Sequence, residues 1–180
     1  MTRLLATQIA LVIALFATPS WATDGRLGGP GMEGFTLKDE KADSGVTVVE
    51  WIPKGQNAEN YSIMVTFATL PGIATVVKPD ALYEAIKADL EKDCPDGKFS
   101  GKENISIDGR DSFIISANCP KDRALGKPES IYILTVFGPS DVFIKQVNFK
   151  YVPTAKDTTW VEPFLKATRF CQVSSSAPTC

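Results

Sequence analysis

The sequence predicts an α+β domain in which an antiparallel sheet is flanked by two helices. Residues 61–68 alternate between apolar and polar side chains, which is the period of a strand with one buried face. Leu82, Ile86 and Leu90 recur at every fourth position, which is the period of an amphipathic helix. The chain has 180 residues, 44% of them hydrophobic, which is enough for one domain with its own core.

The first strands form a hairpin. Residues 45–52 are rich in β-branched side chains and are bounded by Gly45 and Pro53, as expected for a strand. Residues 53–57 have the composition of a turn, and the alternating segment 61–68 follows. We therefore expect these two segments to pair as a β-hairpin.

A helix and two further strands are predicted next. Pro79 suits a first helical turn, so the helix is expected over residues 79–93. Strands are predicted at 104–108 and 111–118. Because alternate strand residues share a face, Cys119 is expected to point with the core residues of the second of these strands.

The last part of the chain predicts a second hairpin and a final helix. Residues 131–137 and 142–151 are apolar-rich strands joined by a four-residue connection. Thr159 and Glu162 have the spacing of a capping box, so we expect the helix to run from residue 159 to about residue 170.

The N-terminus is typical of a secretory signal peptide. Arg3 precedes an apolar run over residues 4–16, and Ser20 and Ala22 are small residues at the positions required for cleavage. Cleavage before Thr23 removes 22 residues and one basic side chain, so the net charge falls from -2 to -3. We expect a periplasmic or secreted protein with no transmembrane anchor in the mature chain.

The remaining chain divides into three parts. Residues 23–34 contain five glycines and are expected to form a flexible leader. Residues 35–171 are expected to form one globular domain. Residues 172–180 form a short tail that a disulfide would have to hold in place.

Four cysteines in an exported chain favour disulfides, and four cysteines allow three pairings. We expect Cys94 to pair with Cys119, because this bridge would fasten the end of the first helix to the sheet, and Cys171 to pair with Cys180. Metal binding is disfavoured, since the cysteines are far apart in sequence and the chain contains no histidine.

Composition excludes several functions. The absence of histidine removes Ser-His-Asp and Cys-His hydrolysis. The small negative net charge provides no basic surface for nucleic acid. Neither a calcium loop nor a phosphate-binding loop is present in a suitable context, so we expect no metal and no cofactor.

The order of hairpin, helix, antiparallel strands and a final helix ending at Phe170 resembles the Mog1/PsbP-like fold. A second resemblance, to small exported bacterial proteins of unassigned function, rests on the segments Cys119-Pro120-Lys121, Gly126-Lys127-Pro128-Glu129, Asp141 and Lys145-Gln146. These resemblances imply an exported accessory or binding domain.

We therefore expect a non-catalytic binding or assembly module of the bacterial cell envelope, with an unknown envelope protein or small ligand as its partner. The alternative is a histidine-independent hydrolase that uses a carboxylate pair or a Ser-Lys pair. A pocket with a carboxylate pair or a lysine of strongly lowered pKa would favour the enzyme, and an open groove would favour the binder. The candidate partner-binding residues are Trp51, Lys54, Lys121, Arg123 and Lys127.

Overall fold

The computed structural model describes residues 24–123, 126–173 and 178–179. Over these ranges the protein is an α+β domain, as predicted, with an antiparallel sheet and helices. Its strands are β1 (Gly25–Gly28), β2 (Phe35–Asp43), β3 (Val46–Pro53), β4 (Ile63–Leu70), β5 (Lys98–Phe99), β6 (Glu103–Ile107), β7 (Arg110–Cys119), β8 (Glu129–Phe137), β9 (Val142–Phe149), β10 (Arg169–Val173) and β11 (Pro178–Thr179). Its helices are α1 (Ile73–Val76), α2 (Pro79–Asp93), α3 (Ala155–Thr158) and α4 (Val161–Lys166).

The large sheet has the order β2-β3-β4-β9-β8-β7, and both β5 and β6 pair with the free edge of β7. A small sheet has the order β1-β10-β11. Every pairing in both sheets is antiparallel. The two predicted hairpins, β3-β4 and β8-β9, are confirmed, and they join at the centre of the sheet through β4 and β9.

One face of the large sheet, called the helix face below, is covered by α2. This helix spans residues 79–93 as predicted, and Leu82 and Leu90 are buried in it. Burial of a leucine side chain contributes about 2 kcal/mol. At the end of the helix, Cys94 forms the predicted disulfide with Cys119, with sulfur atoms 2.02 Å apart. The bridge therefore fastens the helix to β7.

The opposite face, called the arm face, is covered by α4, β10 and the N-terminal arm, which we define as residues 24–34. Its core contains Val65, Phe143, Val147 and Phe149 from the central strands, packed against residues such as Leu165. The sheet is thus buried on both sides. Alternate residues of each central strand point to the helix face and to the arm face.

The predicted final helix over residues 159–170 is wrong in its bounds. Within that range only Val161–Lys166 is α-helical, a second short helix, α3, lies before it, and the capping box lies earlier, at Thr154 and Asp157. Residues from Arg169 onward form β10, which pairs with β1. Four-residue periodicity could not reveal this strand, because its partner lies more than 130 residues earlier in the sequence.

The prediction that residues 23–34 form a flexible leader is also wrong for the described residues. Gly25–Gly28 is a strand of the small sheet. A β-carbon at Gly25 would lie 2.7 Å from Cε2 of Phe170, so this glycine allows close packing rather than looseness. The globular domain therefore includes the arm.

In the tail, Gln172 and Val173 belong to β10, and β11 pairs with this end of β10. The predicted bridge between Cys171 and Cys180 involves Cys180, which lies outside the described residues, as does the predicted signal peptide. In the part of the chain that the structure describes, no helix is long and apolar enough to cross a membrane.

Candidate ligand-binding pocket

A pocket of about 390 Å³ lies between the N-terminal arm and the arm face of the sheet. One wall is formed by arm residues 26–32, and the other by the strands β3, β4 and β9. This volume is in the range of pockets that hold small molecules. Its sheet wall comprises Thr47, Val49, Trp51, Phe67, Ala68, Thr69, Phe143, Ile144 and Lys145.

Hydrogen bonds at Asp24 hold the arm over this pocket. The Asp24 carboxylate accepts from the backbone N–H of Ser140 and, at 2.8 Å, from its hydroxyl. The Asp24 N–H in turn donates to Asp141 Oδ2 at 3.1 Å. Asp141 also accepts from the N–H of Gly72 at 2.9 Å. The β8-β9 turn thus anchors the arm through carboxylate hydrogen bonds, which are stronger than neutral ones.

Glycine is required where the arm crosses the C-terminal segment. Gly29 has a φ of 141°, a conformation that residues with a β-carbon rarely adopt. A β-carbon there would also lie 3.2 Å from the carbonyl oxygen of Ala167. The glycines of the arm therefore allow its backbone to approach the C-terminal segment closely, and this path of the arm shapes the pocket.

Lys145 is the most deeply buried charged side chain of the pocket wall, with 1% of its surface exposed. Its Nζ donates to the carbonyl oxygen of Phe164 at 3.0 Å and to the hydroxyl of Thr168 at 3.1 Å. The same atom lies 3.5 Å from the centre of the Phe164 ring, as in a cation-π contact. Burial lowers the pKa of Lys145 to about 8.

A lysine with a lowered pKa is one feature that the sequence analysis associates with an enzyme. A Ser-Lys pair also needs a serine beside the amine, and among the described residues the pocket lining contains neither serine nor a carboxylate. The hydroxyl nearest Lys145 belongs to Thr168, which is itself buried and does not line the pocket.

The predicted residues Trp51 and Lys54 lie at one side of this pocket. Trp51 is half-buried, lines the pocket and packs against the arm-face core. Lys54 is exposed just beyond the end of β3, where its backbone N–H donates to the carbonyl of Gly34 at 2.8 Å. The structure thus brings Trp51 into the pocket and leaves the Lys54 side chain outside its lining.

The other predicted residues lie elsewhere. Lys121, Arg123 and Lys127 are exposed in the loop that follows β7. The N–H of Arg123 donates to the carbonyl of Asp93, at the end of α2 on the helix face. The strands β3 and β7 are four places apart in the sheet, or about 19 Å. The structure therefore does not bring this loop and Trp51 into one site.

The helix face contains a second buried ionisable group. Glu129 is 6% exposed, and its Oε1 accepts from Nδ2 of Asn148 at 2.9 Å. Burial is the main cause that raises the pKa of Glu129 to about 7, and the nearby Asp122 and Asp93 raise it further. Among the described residues, no group of three or more acidic, cysteine or histidine side chains could hold a metal ion.

The importance of Lys145 and of the arm was missed by sequence reasoning. Lys145 was noted only within a motif, although a lysine inside the apolar run 142–149 is itself a signal of a buried charge. The glycines of the arm gave no comparable signal, because glycine is equally common in loops and at close contacts.

Comparison with known proteins gives similarity of fold alone. No protein-family model matches the chain, and no curated protein matches its sequence. Among solved structures, LpqN of Mycobacterium tuberculosis, a protein involved in cell envelope biogenesis, is 17% identical, with a TM-score of 0.53 over 85% of this chain and 86% of that one. PA94 of Pseudomonas aeruginosa, a protein of unknown function, is 18% identical, with a TM-score of 0.40 over 72% of this chain and 89% of that one. The chain therefore shares a sheet-and-helix fold with LpqN.

Proposed function

We propose that this chain is an exported, non-catalytic binding module of the bacterial cell envelope that holds a small, largely apolar ligand in the arm pocket. The pocket is the observation that carries the proposal, because its walls combine aliphatic and aromatic side chains with few polar groups. The involvement of LpqN, a protein of similar fold, in cell envelope biogenesis supports an accessory role in the same compartment. The finer assignment to the Mog1/PsbP-like fold is part of this proposal.

Export is proposed from the sequence and fits the position of the arm. Asp24 follows the proposed new N-terminus at Thr23 directly, and its N–H already bonds to Asp141. The Cys94–Cys119 disulfide suits an oxidising compartment. Intact mass spectrometry of the exported protein should give a chain that begins at Thr23, and a chain that retains residues 1–22 would contradict export by this route.

The binding function is tested with N-phenyl-1-naphthylamine, an uncharged apolar dye whose fluorescence rises in a dry site. Val49 lines the pocket, so Val49→Phe should fill part of it and weaken dye binding at least tenfold. Val152→Phe is the matched control, because Val152 is 60% exposed and lies outside the lining. The proposal fails if the wild-type protein does not bind the dye, or if the folded Val49→Phe variant binds it equally well.

A partner protein is tested separately. The mature protein is immobilised and used to recover proteins from its own envelope extract, with mass spectrometry as the readout. An assembly role predicts one or a few recovered partners in stoichiometric amounts, whereas a carrier of a small ligand alone predicts none.

A further inference from the structure

We propose that the arm pocket selects ligands that carry an anionic group, above all a carboxylate, on an apolar body, and that Lys145 and Arg26 bind this group. The inference rests on the proposed binding function and narrows the ligand class. It is carried by the charges of the pocket lining and by the hydrogen bonds that Lys145 leaves unmade.

The charge of the pocket is opposite to that of the whole chain. The protein has 21 acidic and 19 basic residues. Within the part of the chain that the structure describes, the pocket lining contains two cations, Arg26 and Lys145, and no aspartate or glutamate. Because a cleft with low-dielectric walls concentrates the field of its own charges, an anion is favoured inside it over a neutral or cationic molecule.

Lys145 lacks a counter-ion among the described residues. Its two hydrogen bonds go to neutral oxygens, of Phe164 and Thr168, and it forms no ion pair. An ammonium group has three N–H donors, so one is not used in these two hydrogen bonds, and the cation also lies against the Phe164 ring. A buried cation without an anionic partner is costly, and an anion supplied by a ligand would remove that cost.

Arg26 supplies the second cation from the arm. It is exposed and lines the pocket, and it too forms no ion pair with a described carboxylate. A guanidinium group binds a carboxylate through two parallel hydrogen bonds. The arm therefore places a carboxylate-binding group at the outer part of the same cavity that buries Lys145.

The rest of the lining suits an apolar body. Leu27, Met32, Val49, Phe67 and Phe143 present aliphatic and aromatic surface. Such surface contributes affinity through burial but does not distinguish an acid from an alcohol of the same chain length. The preference for an anion should therefore depend on the two cations alone.

The test compares sodium dodecanoate with dodecan-1-ol, two probes that share a twelve-carbon chain and differ in charge. Both are titrated into the mature, oxidised protein by calorimetry at pH 7, below the concentration at which dodecanoate forms micelles. We expect the wild-type protein to bind dodecanoate at least tenfold more tightly than the alcohol. Lys145→Met should lose most of this preference and keep its affinity for the alcohol within twofold.

Arg26→Gln provides the second variant, because a change at this exposed position leaves the core intact. It should weaken dodecanoate binding severalfold and leave alcohol binding unchanged, even if Lys145→Met does not fold. Lys127→Met is the matched control, since Lys127 is exposed and lies outside the pocket lining.

The outcomes separate the two proposals. Equal affinities of the wild-type protein for the acid and the alcohol would overturn the anion preference and leave the binding function standing. A preference for dodecanoate that survives in Arg26→Gln and in folded Lys145→Met would also overturn the inference. If neither probe binds and the uncharged dye does not bind either, the proposed function itself is wrong.

Discussion

Each face of the sheet buries an ionisable side chain whose pKa is strongly shifted, Glu129 on the helix face and Lys145 on the arm face, and the two differ in what surrounds the charge. On the helix face, Glu129 accepts a hydrogen bond from Asn148 and has two carboxylates, Asp122 and Asp93, and one cation, Lys150, nearby. On the arm face, Lys145 interacts with two neutral oxygens and with aromatic rings, has no ion pair with a described residue, and lines a cavity.

This difference shows that a buried charge does not by itself indicate a binding site. A carboxylate among other carboxylates is relieved by taking up a proton, and this requires no ligand. A lysine beside a cavity without acids is relieved by an anion that enters the cavity. The helix face therefore has the properties of a structural core, and the arm face has those of a site.

Removing the disulfide should have the largest effect on stability, because this bridge fastens α2 to the sheet on the helix face. Replacing Cys94 and Cys119 together by serine opens a closed loop with a sequence separation of 25. On the loop-entropy model the variant should lose about 3.5 kcal/mol in the free energy of unfolding. Urea denaturation measures this loss. Dye binding should be retained at urea concentrations where the variant stays folded. Loss of dye binding in the folded variant would show that the two faces are not independent.

Glu129 should make stability depend on pH in an unusual direction. Its pKa is about 7 in the folded protein, above the usual 4.5, so the folded state holds the proton more tightly. The stability that it contributes is therefore present below about pH 4.5 and is lost as the pH rises toward 7, by roughly 3 kcal/mol.

The variant Glu129→Gln removes this titration. Urea denaturation at pH 5 and pH 8 should show that the free energy of unfolding of the variant, relative to that of the wild-type protein, increases as the pH rises. Glu84→Gln, at an exposed position of α2, is the control and should show no such gain. A constant difference between Glu129→Gln and wild type at both pH values would contradict the raised pKa.

Lys145 should also make the stability of the protein depend on pH, in the opposite direction and at higher pH. Its pKa is about 8 in the folded protein and 10.5 ordinarily, so the folded state holds this proton more weakly than the unfolded chain. Stability is therefore reduced below pH 8 and recovers as the pH rises from 8 to 10.5, by up to about 3 kcal/mol.

The relevant quantity is the change with pH in the difference between Lys145→Met and wild type, since methionine also leaves two oxygens without their donor. The free energy of unfolding of Lys145→Met, relative to that of wild type, should decrease between pH 7 and pH 9.5. Dodecanoate at one fixed concentration should stabilise wild type at pH 7 more than it stabilises the variant. A difference that does not vary with pH would show that Lys145 is not desolvated.

Gly25→Ala should disturb the arm face alone. The added β-carbon meets the Phe170 ring, so the arm must shift, at a cost of about 2 kcal/mol. Gly101→Ala is the matched control, because nothing lies within 4 Å of a β-carbon there and its φ is not positive. The melting temperature and the affinity for the dye should both change in Gly25→Ala. Neither should change in Gly101→Ala. Unchanged dye binding in Gly25→Ala would separate the arm from the pocket.

The smallest effect on stability is expected at the loop after the disulfide. Charge reversal of Arg123 and Lys127, both exposed, should change the free energy of unfolding by less than about 0.5 kcal/mol. If this loop binds an envelope partner, the double variant should lose that partner in the recovery experiment. Recovery of the same partners at wild-type levels would show that the loop is not their binding surface.

Much of the large sheet could be predicted from local pattern. The hairpin containing Trp51, the helix that begins at Pro79 and the strands on each side of Gly109 follow from periodicity and from turn residues. The Cys94–Cys119 bridge follows from the same elements, since the end of the helix must lie on the face to which Cys119 points. These features depend on neighbours within a few residues, or on one helix packing on one sheet.

The pocket depended on contacts that local pattern does not encode. Residues 25–28 become a strand only because residues 169–172 lie beside them, and the latter extend only because the arm is there. The same pairing converts the expected end of a helix into β10 and brings Arg26 over the strand that contains Lys145.

The sequence by itself determined the period of each long element, the bridge that fastens the helix face, and the absence of histidine chemistry. Only the tertiary structure decided that glycines at the N-terminus form a wall, and that a lysine in a buried strand lines a cavity without a carboxylate partner. The physical reason is that periodicity records which face of an element is buried, whereas a cavity and its charge depend on which distant segment covers that face.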